Sequence, residues 1–175
     1  MLKLMLMRHA KAAPPHMDAE DFERRLSGRG LEAAPAMGRA LAKHKLVPKQ
    51  ILCSPAQRTR ETLQLVVNAM GVTAPVAFED RLYDFGDGLS YMEVISDQNG
   101  ATPLMVIGHN PSVQNMALRL IGPKSSAIAE RIGRKFPTAA VAVIALPIEA
   151  WRQVESGGTG RGEVELFLTP KTIEG

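Results

Sequence analysis

Two arginines and two histidines stand in this chain where side chains could do chemistry. Arg8 and His9 follow directly on an apolar run, Leu2 to Met7, that only Lys3 interrupts. Arg58 comes shortly after Ile51-Leu52-Cys53, and His109 ends the run from Pro103 to Gly108. A guanidinium stays charged at any working pH and presents a fork of N–H donors that fits phosphoryl oxygens. A neutral imidazole becomes a nucleophile when its other nitrogen carries the proton and donates it, a backbone carbonyl being a suitable acceptor. Phosphoryl transfer rests on in-line positioning and preorganised positive charge. Arg8 and Arg58 can supply that charge, His9 can attack, and His109 can add a third cationic donor if its neighbours raise its pKa. No metal or other cofactor is expected, because side chains supply the charge and no His, Asp and Glu grouping has ligand spacing. Taken singly, His9 would read as a satisfied core histidine and Arg8 as a surface ion-pair partner. Their recurrence with Arg58 and His109 at equivalent strand ends is what points to a site.

Those side chains need strands that end together. The apolar runs are too short for core helices and nearly continuous, as parallel strands buried on both faces should be. In open α/β sheets ligands bind just beyond the carboxyl ends of such strands. Residues 12–21 read as a loop that can rim the site. Ser27 then reads as the N-cap of a helix to about His44, with Leu31, Ala34, Met37, Gly38 and Leu41 on one face. Pro35 inside it calls for a kink or a start nearer Gly30. Ser54 reads as the cap of a second helix starting at Pro55, with Gln57 completing a capping box and Arg58 in the first turn, where the helix already favours an anion. Arg60 points about 200° around that helix from Arg58, so only one of the two can face the site. Thr59, Leu63, Val66, Val67 and Met70 form its buried stripe and Gly71 its stop. Val76 to Phe78 reads as a strand, residues 89–98 as a short helix, and Asn110 as the cap of a helix beginning with Pro111. Thr138 to Leu146 and Glu163 to Leu168 read as late strands, with Gly157 to Gly162 as a flexible hairpin turn between them. The expected fold is a three-layer α/β/α sandwich around a mostly parallel sheet with one antiparallel edge strand, in a single domain over 1–175.

Composition narrows the class. A chain of 175 residues, 45% apolar and 22% charged, suits one ordinary globular domain. The formal charge of +3 is spread over scattered basic residues, and aromatics are only 5%, so no nucleic-acid-binding module is expected. No apolar run approaches the ~18 residues of a membrane helix, and the N-terminal run is a poor signal peptide, which predicts a cytoplasmic protein with no membrane partner. The lone Cys53 can form no internal disulfide. As a thiolate nucleophile it would be one residue too close to Arg58 for the cysteine phosphatases, which place five residues between the two.

Several motifs carry a resemblance. Arg8-His9-Ala10 resembles the Arg-His-Gly signature of the histidine phosphatase superfamily, with Ala10 where glycine is usual. Ser54-Pro55-Ala56-Gln57-Arg58 with Glu61-Thr62 resembles the second arginine motif of that superfamily, and Gly108-His109-Asn110-Pro111 its second histidine motif. Arg8-His9-Ala10-Lys11, Leu26-Ser27, Gly30 and Lys135-Phe136-Pro137-Thr138 are similar to the short SixA-like branch, the bacterial phosphohistidine phosphatases. The resemblance covers residues 2 to about 146. It implies a phosphoglycerate-mutase-like fold and a hydrolase working through a phosphohistidine on His9. Arg8, Arg58, His109 and Asn110 would bind the substrate, and Asp84 would be the general acid, with Glu79, Asp80 and Asp87 as rivals. The partner it implies is a phosphorylated protein carrying phosphohistidine. The alternatives are a general small-molecule phosphomonoesterase acting on a small phosphate ester, a phosphate-recognition module without turnover, and a phosphoglycerate mutase, whose branch is normally longer.

Overall fold

The computed structural model describes residues 1–16 and 20–174. Its strands are β1 (Leu2–Arg8), β2 (Gln50–Cys53), β3 (Val76–Phe78), β4 (Leu104–Gly108), β5 (Val141–Leu146) and β6 (Glu163–Leu168). They form one sheet in the order β3-β2-β4-β1-β5-β6. Side chains alternate across it: Leu4, Leu6, Leu104, Val106, Ala142 and Ile144 lie in the core on one face. Met5, Met7, Met105, Ile107, Val141 and Val143 lie in the core on the other. Strands apolar on both faces must be covered on both. α1 (Gly28–Lys43) and α2 (Gln57–Met70) cover the second face through Ala34, Met37, Leu41, Leu63 and Val66. α3 (Leu89–Ser96), α4 (Ser112–Leu120) and α5 (Ser126–Arg134) cover the first through Tyr91, Val94, Val113, Met116 and Ile132. A short α6 (Pro170–Glu174) ends the described chain against α1. Leu4, Met5, Leu6 and Met7 are all 0% exposed. At about 1.5–3 kcal/mol for each such side chain, β1 contributes heavily to the core.

β3, β2, β4 and β1 run parallel. β5 is antiparallel to both β1 and β6. The reversed strand is therefore interior, in place of the antiparallel edge strand expected from the sequence, and the edge strand β6 runs the same way as β1. Burial explains the order: every residue of β5 is buried, whereas β6 exposes Glu163 and Glu165. The chain leaves β1 toward α1 on one face and leaves neighbouring β4 toward α4 on the other. That switch opens a crevice beyond the carboxyl ends of β1 and β4.

Ser27 caps α1 as expected, its Oγ accepting the Gly30 N–H at 3.2 Å. The helix continues through Pro35 to Lys43. The Leu31 carbonyl that loses its helical partner there belongs to an exposed turn, and Leu31 is 48% exposed rather than part of the buried face. Ser27 donates to the Lys11 carbonyl through both N–H (2.9 Å) and Oγ (3.0 Å), seating the start of α1 on the loop that leaves β1. A Cβ on Gly30 would collide with that carbonyl, so the close approach requires glycine. α2 begins at Gln57 rather than Pro55, with Ala56 at the N-cap and no side-chain cap, so Ser54 is not the capping residue.

α5 has no counterpart in the sequence reading. The link from β5 to β6 is also not a flexible hairpin. It contains a 3-10 turn, Trp151–Gln153, and a π-helical turn, Val154–Gly158. Trp151 is fully buried and donates to the Ala101 carbonyl at 2.9 Å. Gly162 exchanges backbone hydrogen bonds with Leu120 (2.7 Å) and Gly122 (2.8 Å), docking the glycine-rich stretch on the end of α4. In the loop after β1, Ala12 bridges Leu26 and a 3-10 turn covers Asp21–Glu23. Residues 17–19 of that predicted loop lie outside the described residues.

Candidate active site

His9 begins where β1 ends, its N–H still donating to the Gly108 carbonyl at 3.0 Å. Its Nδ1 lies 2.6 Å from the Ala10 carbonyl oxygen. A carbonyl only accepts, so Nδ1 carries the proton and the lone pair is on Nε2. The Ala10 N–H donates to Thr62 Oγ1 at 3.0 Å, and that hydroxyl donates to the Arg58 carbonyl at 2.7 Å, tying the histidine turn to the first turns of α2. Among the described residues the non-glycine positions with positive φ are Lys45 and Ala139. Ala10 is not one of them, so alanine stands there without strain.

His109 follows β4, its ring centroid 5.3 Å from that of His9. Its N–H donates to Tyr91 Oη at 2.9 Å, and Tyr91 Oη donates to the Leu82 carbonyl at 2.8 Å. Gly108 is needed beside it, since a Cβ there would strike the Tyr91 hydroxyl. His109 Nε2 lies 2.7 Å from Ser54 Oγ, and the same oxygen takes a long 3.5 Å contact from the Ala56 N–H. We assign the Ser54 hydroxyl proton to the bond with His109 Nε2, the Ala56 N–H being directed at the same oxygen. Nδ1 then carries the ring proton, and it is buried without a partner among the described residues. Ser54, read from sequence as a helix cap, thus sets the tautomer of His109.

Arg58, in the first turn of α2, is 2% exposed. It donates to the Asp21 carbonyl at 2.7 Å and to Asp21 Oδ2 at 3.0 Å. Arg60 turns outward over the Phe78 ring, 4.0 Å from its centroid. Arg8 Nη1 donates to the Phe136 carbonyl at 3.0 Å, while its Nε is buried without a partner among the described residues. Asn110 Nδ2 donates to the same carbonyl at 3.1 Å, and Asn110 Oδ1 accepts from the Gln114 N–H at 3.2 Å. Asn110 therefore joins the start of α4 to the Phe136 segment. The Lys135-Phe136-Pro137-Thr138 motif matters here through one backbone carbonyl, which holds Arg8.

Burial, reinforced by Arg58 and Arg8, pushes His9 down to about 4 from 6.5, against the raising effect of its bond to Ala10. Burial also pushes His109 down to about 3, with His9, Arg58 and Arg8 adding to it against Asp21. The neighbours of His109 thus lower its pKa rather than raise it, so the condition for a third cationic donor is not met, and in the assigned tautomer a neutral His109 can donate through Nδ1–H. Burial pushes the Cys53 thiol up to about 12, which removes it as a thiolate nucleophile at neutral pH.

Asp84 is bonded outside this cluster. Its Oδ2 accepts from Ser112 Oγ at 2.8 Å and from the Gly86 N–H at 3.2 Å, and no hydrogen bond joins it to His9, His109, Arg8 or Arg58. A carboxylate bonded directly to the cluster is Asp21, through Arg58. Burial raises its pKa, but hydrogen bonds from Tyr83, Arg58 and Arg24 outweigh burial and hold it at about 2. Sequence reading placed Asp21 only within a possible rim loop, and its partners Arg58 and Tyr83 are 37 and 62 residues away. Tyr83 and Phe85 lie against His109, with ring centroids 5.4 and 5.0 Å from it, and Phe22 meets Tyr83 edge-on at 5.2 Å. Among the described residues no group of three or more His, Cys, Asp or Glu is placed to hold a metal ion. None of the described helices is long and apolar enough to cross a membrane.

The chain has relatives with this arrangement of elements. The profile of the histidine phosphatase superfamily (branch 1) matches residues 4–145. An uncharacterised protein of Mycobacterium tuberculosis is 37% identical over 153 residues, covering 86% of this chain and 93% of its own. A crystal structure of SixA from Agrobacterium tumefaciens, described as a candidate phosphohistidine phosphatase, superposes with a TM-score of 0.81 at 26% identity, covering 97% of this chain and 98% of that one. A similarly described SixA of Nakamurella multipartitia gives a TM-score of 0.81 at 28% identity, covering 97% and 96%.

Proposed function

The chain belongs to the histidine phosphatase superfamily as a SixA-like phosphatase, and on that premise we propose that it removes the phosphoryl group from phosphohistidine on a protein through a covalent intermediate on His9. One observation carries this reading. His9, its lone pair fixed on Nε2 by the Ala10 carbonyl, lies with its ring centroid 5.3 Å from that of His109, and two donors beside it, Arg8 Nε and His109 Nδ1, are buried without partners among the described residues. A buried donor left unpaired costs about 1–3 kcal/mol. A phosphoryl group brings the oxygens that would satisfy both.

In the proposed reaction Arg8, Arg58 and His109 hold the non-bridging oxygens. His9 Nε2 attacks phosphorus as the bond from phosphorus to the leaving nitrogen breaks, and the departing imidazole is protonated from solvent. Water then attacks the phosphoryl group on His9, the P–Nε2 bond breaks, and inorganic phosphate leaves. Asp21 is ionised at working pH and cannot give up a proton, so its part is to fix the Arg58 guanidinium. An imidazole leaving group needs little help from a positioned acid, because it can be protonated near neutral pH. The partly exposed rim of Asp21, Phe22 and Phe85 suits a residue standing on the surface of another protein.

The test compares kcat/KM on a phosphohistidine-bearing protein with kcat/KM on a panel of phosphate monoesters, a ratio that reports relative transition-state stabilisation. We expect the phosphohistidine protein to lead, and labelled substrate to leave an acid-labile, base-stable adduct on His9 that His9→Ala abolishes. A monoester that outperforms every phosphohistidine substrate would overturn the substrate, and undiminished turnover by His9→Ala would overturn the nucleophile.

A further inference from the structure

Phe22, Tyr83 and Phe85 have no part in the reaction as described, yet they form an aromatic wall on the outer side of the site. They come from two loops, one after β1 and one after β3, so the fold brings them together. Phe22 is 38% exposed and Phe85 48%. Exposed apolar side chains scattered singly need no explanation, but a contiguous patch at a site does. The rings are held in place. The Tyr83 hydroxyl donates to Asp21 Oδ2, and Tyr83 meets Phe22 at 89° and Phe85 at 82°, both edge-to-face. Phe85 in turn lies at 45° to the His109 ring, 5.0 Å between centroids. The wall therefore runs from the histidine that faces the phosphoryl pocket out to solvent.

The inner end of the site is closed by the sheet, with Met7, Ile107, His9 and His109 buried, so the group bonded to phosphorus must project toward the exposed side, which Phe22 and Phe85 border. The wall offers π-faces and ring edges, and its one hydroxyl, that of Tyr83, is already bonded to Asp21. A sugar or polyol leaving group would lose water to such a wall without gaining hydrogen bonds. A flat ring would gain offset or edge-to-face contacts.

We propose that Phe22, Tyr83 and Phe85 form a leaving-group subsite that selects phosphoryl groups carried on a planar ring, the N-phosphorylated imidazole foremost. This rests on the phosphohistidine reading and adds the residues that recognise the ring. The selecting faces are those of Phe22 and Phe85, while Tyr83 holds them in register.

The experiment pairs two substrates with the same kind of scissile P–N bond, N-phosphoimidazole with a ring and phosphoramidate without one. Phe22→Leu and Phe85→Leu keep an apolar side chain of similar reach and remove the π-face, and Phe85→Trp restores one. Each leucine variant is expected to lose about 3- to 10-fold in kcat/KM on phosphoimidazole, the scale of one aromatic contact. Each should change less than about 2-fold on phosphoramidate, with Phe85→Trp close to wild type on both and all melting temperatures unchanged. Equal losses on both substrates, or no loss on either, would overturn the subsite. A wild-type protein that cleaves neither P–N compound would overturn the phosphohistidine reading instead. The subsite would then be judged by the same variant ratios on phenyl phosphate against ethyl phosphate.

Discussion

A histidine that must attack through a lone pair gains from a pocket of positive charge, because the same arginines that would grip a phosphoryl group also keep a proton off the ring. With His9 lowered to about 4 and His109 to about 3, the ring C–H resonances of both should stay flat from pH 8 to pH 5 in an NMR titration of the free protein. Titration of either near 6.5 would remove the neutral-nucleophile account. Ser54→Ala takes away the hydroxyl that fixes the His109 tautomer. It should lower kcat about 10-fold with little change in KM, the scale of one lost buried hydrogen bond. The 15N shifts of His109 should show its proton redistributing between the two nitrogens. Asp84→Asn separates two roles. A proton donor would slow alkyl phosphates by about 100-fold and spare aryl ones. The bonds of Asp84 to Ser112 and Gly86 lead us to expect equal, modest slowing of both with a lower Tm. That Arg8, His9, Arg58 and His109 come together was legible in the sequence, because each stands at or just after a strand end. Ser54 and Asp21 were not, because their roles rest on hydrogen bonds to residues 55 and 37 positions away, and local sequence gives Ser54 the look of a cap.

At the scale of elements, the start of α1 acts as the brace of the histidine turn. Gly30→Ala would drive a methyl into the Lys11 backbone carbonyl, which has no flexible end to swing aside. We expect about 1–3 kcal/mol of lost stability in urea titration, together with lower kcat as the loop after β1 shifts. Gly28→Ala, where nothing lies within 4 Å, should change turnover little and serves as the control. The helices over Gly28–Lys43, Gln57–Met70 and Ser112–Leu120 were readable from apolar periodicity and turn residues, and the one over Leu89–Ser96 was read as a short helix without a clear apolar face. α5 was missed because its buried set is Ile132 alone, too little to register as a stripe. The direction of β5 was also not legible, since a strand buried on both faces reads alike whichever way it runs. Pairing with β1 and β6 decides it, and the sequence carries no local mark of that pairing.

For the molecule as a whole, the site histidines make folding depend on acidity. A histidine whose folded pKa lies below its unfolded value favours the unfolded chain when protonated. The contribution of His9 and His109 is therefore complete above about pH 6.5 and is lost as pH falls toward 4 and then 3. Asp21, lowered from 3.8 to about 2, acts in the same direction further down, its contribution lost as pH falls from 3.8 through 2. The shift of His9 alone corresponds to about 3 kcal/mol. Thermal melts from pH 7 to pH 4 should show Tm falling, and His9→Asn should fall less steeply. A parallel fall in wild type and variant would mean that other groups govern acid unfolding. The position of β1 also sets an order in time. Leu2 pairs with Leu146, and β4 on its other side starts at Leu104. On a ribosome adding about 5–20 residues per second, the first strand made waits roughly 7–30 s for its last neighbour. Throughout that interval Leu4, Met5, Leu6 and Met7 lack at least one of their two neighbour strands and remain an oily edge on a growing polypeptide. Nascent chains stalled before Val141 should therefore be cut readily by protease near their N-terminus and held by trigger-type chaperones, and those released beyond Leu168 should resist both.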